Sequence, residues 1–204
     1  MKRLGRTSGF TLIEIIVVIA VIAILAAIMT PSIIKNIDDS RIARAKNDVQ
    51  VLGASVADFY KDTGKWPTDN DPSAGNSNYL YVLETVGGTT PSHSGTDTNG
   101  WTTWGAARRD TFENQLVLND PKGGGNAYPT TGEFRWKGPY INEIKSDPWG
   151  NKYYCNVIGL WYGRGYEAVF VLSAGPDGVI NTDVKQLISS SPTLGGDDIG
   201  FRIK

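Results

Sequence analysis

The sequence predicts an α+β fold in which one long, kinked N-terminal helix packs on a small antiparallel β-sheet. Three observations carry that expectation. Phe10 to Met29 is a run of 20 residues in which Glu14 is the only charge. Beyond it, Ile42, Ala45, Val49, Leu52, Val56 and Phe59 recur at helical spacings of 3 and 4. The last third of the chain alternates turn-rich stretches with short runs of β-branched and aromatic residues.

As a helix rising ~1.5 Å per residue, the Phe10–Met29 run covers roughly 30 Å, the thickness of a bilayer's hydrocarbon core. Lys2, Arg3 and Arg6 precede it and favour a cytoplasmic N-terminus. No small-x-small cleavage site followed by a polar stretch interrupts the run before Met29, so the helix is expected to stay with the mature chain. An ionised Glu14 one turn into such a helix is costly in hydrocarbon and calls for a partner.

Pro31 removes one helical hydrogen bond and crowds the preceding turn, so a kink is expected there. Helical periodicity then resumes, with Ile34 and Ile37 leading into the stripe that ends at Phe59. Asp39, Arg41, Arg44, Lys46, Asp48 and Asp58 occupy the other sides, which makes residues 32–64 an amphipathic helix that must lay its stripe on something. Gly64 suits a left-handed C-cap, and Pro67 blocks continuation.

Residues 65–136 read as a variable connecting segment. Asp69–Asn78 and Gly87–Gly100 are loop-like, and Tyr79–Val86 fits either a helical turn or a short strand. Residues 137–204 read as an antiparallel sheet with an acidic C-terminal loop. Its expected strands are Lys152–Val157, Gly159–Gly165 and Glu167–Ser173. Six Trp and nine Tyr suit aromatic packing of that sheet on the helix.

Composition narrows the function. The chain has 20 basic and 21 acidic side chains; without Lys2, Arg3 and Arg6 the balance is 17 against 21, a net of −4. Arg41, Arg44 and Lys46 are diluted by Asp38, Asp39 and Asp48, so no basic face for nucleic acid is expected. With one cysteine (Cys155) and one histidine (His93), the chain cannot build an intramolecular disulfide, a Cys/His zinc site or a Cys-His dyad. Cys155 reads as a small core residue and His93 as part of a solvated loop. Gly123–Gly125 lacks the Gly-Lys-Ser/Thr sequel of a phosphate loop. No residue set implies catalysis.

Gly9 followed by Phe10-Thr11-Leu12-Ile13-Glu14, with Pro31 downstream, resembles the class III signal of type IV pilins and type II secretion pseudopilins. The resemblance implies that 1–9 is a basic leader which a prepilin peptidase cuts after Gly9, N-methylating Phe10. It further implies that 10–31 is the membrane and assembly helix, with Glu14 meeting a neighbour's terminal amine in a filament.

Two turns extend the resemblance. Asp147-Pro-Trp-Gly-Asn151-Lys-Tyr153 is similar to the Asp-Pro-Trp-Gly-x-x-Tyr signature of major pseudopilins, and Leu172-Ser-Ala-Gly-Pro-Asp177-Gly to their Ser-x-Gly-x-Asp-Gly turn. In that family the second turn and a later acidic pair form a calcium site. Carried onto this chain, the ligands are the carboxylates of Asp177, Asp197 and Asp198 and carbonyls near Ala174 and Gly195. Calcium takes roughly six to eight oxygens, which such a set could supply. The chain departs from the family in length: 19 residues, Gly178–Gly196, separate Asp177 from Asp197, and Asn181 and Asp183 within them are rival ligands. An Asx-rich turn without metal is the other reading.

The resemblance implies a pilin-like fold and a non-enzymatic subunit of a periplasmic pseudopilus. Its partners would be its own copies, other pseudopilins, an inner-membrane assembly platform and the peptidase. The head would face the periplasm from the bacterial inner membrane. A type IV pilus subunit shares the N-terminus, although the Asp-Pro-Trp-Gly turn and the lack of a C-terminal cysteine pair weigh against it. A monomeric anchored binding module would need no Glu14. An anchored enzyme is the weakest alternative, because the acidic residues cluster in turns.

Overall fold

A computed structural model describes residues 9–69, 79–93, 108–143, 145–161 and 165–204. The basic leader through Ser8, residues 70–78 of the Asp69–Asn78 stretch and residues 94–100 of the Gly87–Gly100 stretch lie outside the described residues. The chain divides into two units, one ending at Ser40 and the other comprising Arg41–Lys204.

Helix α1 comprises Leu12–Thr63, with Pro31 inside it. In the first unit its apolar residues are exposed, Leu12 through Ile37 among them. In the second, Ala45, Val49, Leu52, Val56 and Phe59 are buried, as the stripe requires. The helix stops at Gly64, whose φ of +67° gives the left-handed cap and whose N–H returns to the Tyr60 carbonyl at 2.8 Å.

A five-stranded sheet receives that stripe. Its strands are β1 (Val82–Glu84), β3 (Arg109–Thr111), β4 (Tyr154–Cys155), β5 (Phe170–Ser173) and β7 (Ile199–Arg202), in the order β3-β1-β4-β5-β7. β1 pairs with β3 in parallel, and the remaining neighbours are antiparallel. The expectation of a purely antiparallel sheet confined to 137–204 is therefore corrected. The connecting segment contributes two strands, and the sheet is mixed. A second correction concerns the expected strand Gly159–Gly165: a 3-10 turn at Val157–Leu160 occupies its start, and residues 162–164 lie outside the described residues. Gly159 allows the turn: a Cβ there would lie 2.7 Å from the Val169 side chain and 3.1 Å from the Glu167 carbonyl, so the chain presses against β5's approach instead of extending beside it.

Both faces of the sheet are covered. Leu83, Cys155, Val169 and Val171 meet the α1 stripe together with Leu80, Phe112, Leu116, Tyr128 and Tyr153. On the other face, Val82, Tyr154, Phe170 and Leu172 meet Ile180 and Val184 of the C-terminal loop. That explains the length of the 178–196 interval, since part of it is needed as a lid on the sheet. Buried Asn156 pins this lid. Its amide donates to the Ala168 and Val184 carbonyls, each at 2.9 Å, and its oxygen accepts from the Phe170 N–H at 2.7 Å.

The connecting segment is anchored by polar groups. Helix α2, Phe112–Leu116, is capped by Thr111, whose oxygen accepts from the Asn114 N–H at 3.1 Å. Buried Asp110 accepts from the Gln115 amide at 2.6 Å and the Lys122 N–H at 2.9 Å, and the Tyr128 hydroxyl donates to Gln115 at 2.7 Å. A short strand β2, Ser92–His93, pairs in parallel with β6, Val179–Ile180, so this segment also straps the C-terminal loop. Cys155 is fully buried and its thiol pKa is pushed well up by desolvation, which makes it inert.

Candidate functional site

Two constellations hold the candidate functional residues, one in each unit. The first lies at the start of α1. Thr11 immediately precedes Leu12, and its N–H and hydroxyl both donate to Glu14 Oε2 at 2.8 Å, while the Glu14 N–H donates to Thr11 Oγ1 at 3.3 Å. This is a reciprocal capping box: two residues satisfy donors that a helix start leaves open. Glu14 thus has an internal partner in the single subunit, which the sequence reading missed. The signal was available as Thr-x-x-Glu just ahead of an apolar run. Gly9 and Phe10 precede the helix, Phe10 is 85% exposed, and a Cβ on Gly9 would meet no atom within 4 Å. The fold itself does not require glycine at position 9. Among the described residues, α1 is the helix long and apolar enough to cross a membrane.

The second constellation joins the two signature turns. Asp147 is buried; its Oδ1 accepts from the Trp149 N–H at 3.0 Å and the Asn151 N–H at 2.7 Å. Its Oδ2 accepts from the Ser173 hydroxyl at 2.6 Å, and Ser173 Oγ accepts from the Gly175 N–H at 3.1 Å. One carboxylate therefore shapes its own turn and, through Ser173, positions the next. At Gly175 the backbone has φ +66°, and the Asp197 carbonyl sits where a Cβ would be. That contact holds the Gly175–Gly178 turn against the acidic pair, and the Asp177 N–H donates to Asp197 Oδ2 at 3.2 Å.

Asp198 is the most buried of the acidic pair. Its Oδ2 accepts from the Asn181 N–H at 2.9 Å, the Thr182 N–H at 2.6 Å and the Thr182 hydroxyl at 2.5 Å. Its Oδ1 is buried with no hydrogen-bond partner among the described residues. Burial raises the Asp198 pKa and the neighbouring Asp197 charge adds to it, while the Thr182 and Asn181 bonds pull the other way.

The residues expected to bind calcium are thus brought together unevenly. Ala174 is buried beside the turn, Gly195 accepts from the Asp198 N–H at 3.1 Å, and Asp197 bridges to Asp177. Asp177 Oδ1 turns back to the Val179 N–H at 2.7 Å, and rival Asp183 turns to the Lys185 N–H at 3.0 Å. Among the described residues no group of three or more His, Cys, Asp or Glu side chains is placed to hold a metal ion. The partnerless oxygen of Asp198, with the Asp197 charge beside it, is the feature of this loop that suits a hard cation.

Comparison with known proteins bears on both constellations. Residues 4–30 match the prokaryotic N-terminal methylation motif, and residues 126–190 match protein G of the type II secretion system. The second match holds Asp147, Ser173 and Asp177 and ends before Asp197. A type II secretion system core protein G of Aeromonas hydrophila is 27% identical over 179 residues, 87% of this chain and 89% of that protein. That of Pseudomonas aeruginosa is 43% identical over 54 residues, 26% of this chain and 37% of the relative. Fimbrial protein EcpC of Eikenella corrodens is 38% identical over 81 residues, 39% of this chain; the match spans only 53% of that protein. No solved structure matches the chain.

Proposed function

We propose that this chain, a type IV pilin-like protein similar to the major pseudopilin, protein G, of type II secretion systems, is a structural subunit of a short periplasmic pseudopilus that drives export of folded proteins. The observation that carries the reading is the pairing in one chain of the methylation motif at 4–30 with the protein G region at 126–190. Subunits are drawn from the inner membrane by an assembly platform and stacked with their α1 helices inward, alongside other pseudopilins, while the heads face the periplasm. In the stack, Glu14 exchanges its contact with Thr11 for the terminal amine of the next subunit's Phe10. The match to fimbrial protein EcpC, over a shorter stretch of the chain, fits only weakly the second reading, a surface pilus subunit for adhesion, motility or DNA uptake. Electron microscopy of native cells separates long surface fibres from a periplasmic stub.

Calcium belongs to the same proposal. Asp197, Asp198 and the Ala174 and Gly195 carbonyls would hold it, with Asp177 reaching it once its carboxylate leaves the Val179 N–H. When bound, the cation neutralises carboxylates that otherwise repel one another across the loop.

Processing tests the proposal at its first step. Native protein analysed by mass spectrometry should begin at Phe10 with one added methyl. Gly9→Leu should leave the leader attached, and because a Cβ at position 9 would have no described atom within 4 Å, the block would be the peptidase's and not a folding defect. An intact Met1 on wild-type protein from a host with a matching peptidase contradicts the proposal.

A further inference from the structure

Thr182 lies inside the 178–196 interval and is 3% exposed. Its N–H and hydroxyl both donate to Asp198 Oδ2, at 2.6 and 2.5 Å, and its Oγ1 also accepts from the Gly195 N–H at 3.0 Å. The Asn181 N–H brings a third donor to the same carboxylate oxygen at 2.9 Å, which fills its accepting capacity. The other oxygen, Oδ1, is left buried and without a partner. The Thr182 hydroxyl therefore joins two backbone N–H groups in holding the Asp198 carboxylate and links it to Gly195, whose carbonyl faces the Asp198 N–H at 3.1 Å.

We infer that Thr182 is the positioning residue of the calcium loop: its hydroxyl donates to Asp198 Oδ2 and holds Gly195, so that Asp198 keeps its other oxygen, Oδ1, turned toward a divalent cation. The inference rests on the calcium reading proposed above. Outer partners of a ligating carboxylate typically govern about 10- to 100-fold of metal affinity, and the Thr182 hydroxyl is one of three donors to Asp198 Oδ2 and also accepts from the Gly195 N–H.

The test uses the full chain purified in detergent, titrated with calcium by calorimetry and loaded in parallel with terbium, whose luminescence decay in light and heavy water counts bound waters. Thr182→Val keeps the branched shape and removes the hydroxyl. The Thr182 and Asn181 N–H groups stay on Oδ2, but the carboxylate loses its hydroxyl donor and Gly195 its acceptor, so calcium binding should weaken about tenfold or more and bound terbium should admit about one further water as Oδ1 turns from the ion. A residue with a merely structural role would change melting in chelator without changing that water count. Thr182→Ser keeps the hydroxyl and should bind calcium within about threefold of wild type. Wild-type affinity and water count in Thr182→Val overturn the assignment, as does a tenfold loss in Thr182→Ser, which stays informative should the valine variant not fold. If the wild type binds no calcium at millimolar concentration, the calcium reading itself falls, and this role with it.

Discussion

Subunits carrying Glu14→Leu should enter the membrane at least as well as wild type and be lost from filaments. The substitution removes a charge from hydrocarbon, which favours insertion. It also removes the acceptor of both Thr11 donors, loosening the first turn of α1. The assembled state loses more, because the neighbour's Phe10 amine is then buried in an apolar stack with no counter-charge. Glu14→Gln separates the two contributions: its amide oxygen still accepts from Thr11, but the charge is gone. Membrane fractionation and cross-linking of native cells should show both variants inserted at wild-type level, with multimers absent from each. Glu14→Gln assembling at wild-type efficiency would show that the cap, not the charge, is what assembly uses.

Asp147→Ala should destabilise the second unit strongly. It leaves the Trp149 and Asn151 N–H groups and the Ser173 hydroxyl without their acceptor. A buried group stripped of its partner costs about 1–3 kcal/mol, so the total is on the order of 4 kcal/mol. At about 2–4 °C per kcal/mol for a unit of this size, melting should fall by about 10 °C. Asp147→Asn keeps one good acceptor and should lose roughly half as much. Thermal melts of the full chain in detergent, followed by circular dichroism, decide it. A loss below about 1 kcal/mol would mean that the two signature turns hold their shapes independently.

What was legible in the sequence follows from how strongly each element repeats its own signal. Helix α1 declares itself over many turns, from the uncharged run to the stripe ending at Phe59, and its end at Gly64 needs only a local rule. Strands β1 and β3 have three residues each, too short for alternation to register, and Asp110 within β3 reads as a loop residue until its bonds to Gln115 and Lys122 are seen. Gly159–Gly165 has strand-like composition, but Gly159 is there for close approach to Val169, a tertiary reason invisible in a window of seven. At the candidate site, Gly9, Phe10, Glu14 and Asp177 announce themselves through motif spacing. Thr182 has no such signal, since its role depends on a 16-residue separation from Asp198 that only the folded loop closes.

The central claim, that this chain is a pseudopilus subunit of type II secretion, is tested most directly by deleting its coding sequence in the native host and fractionating the culture. Exported proteins should accumulate, folded, in the periplasm and disappear from the medium, while surface fibres persist; restoring the wild-type chain should return export, and restoring Glu14→Leu should not. Unchanged export together with loss of surface fibres would contradict the claim and assign the chain to a surface pilus.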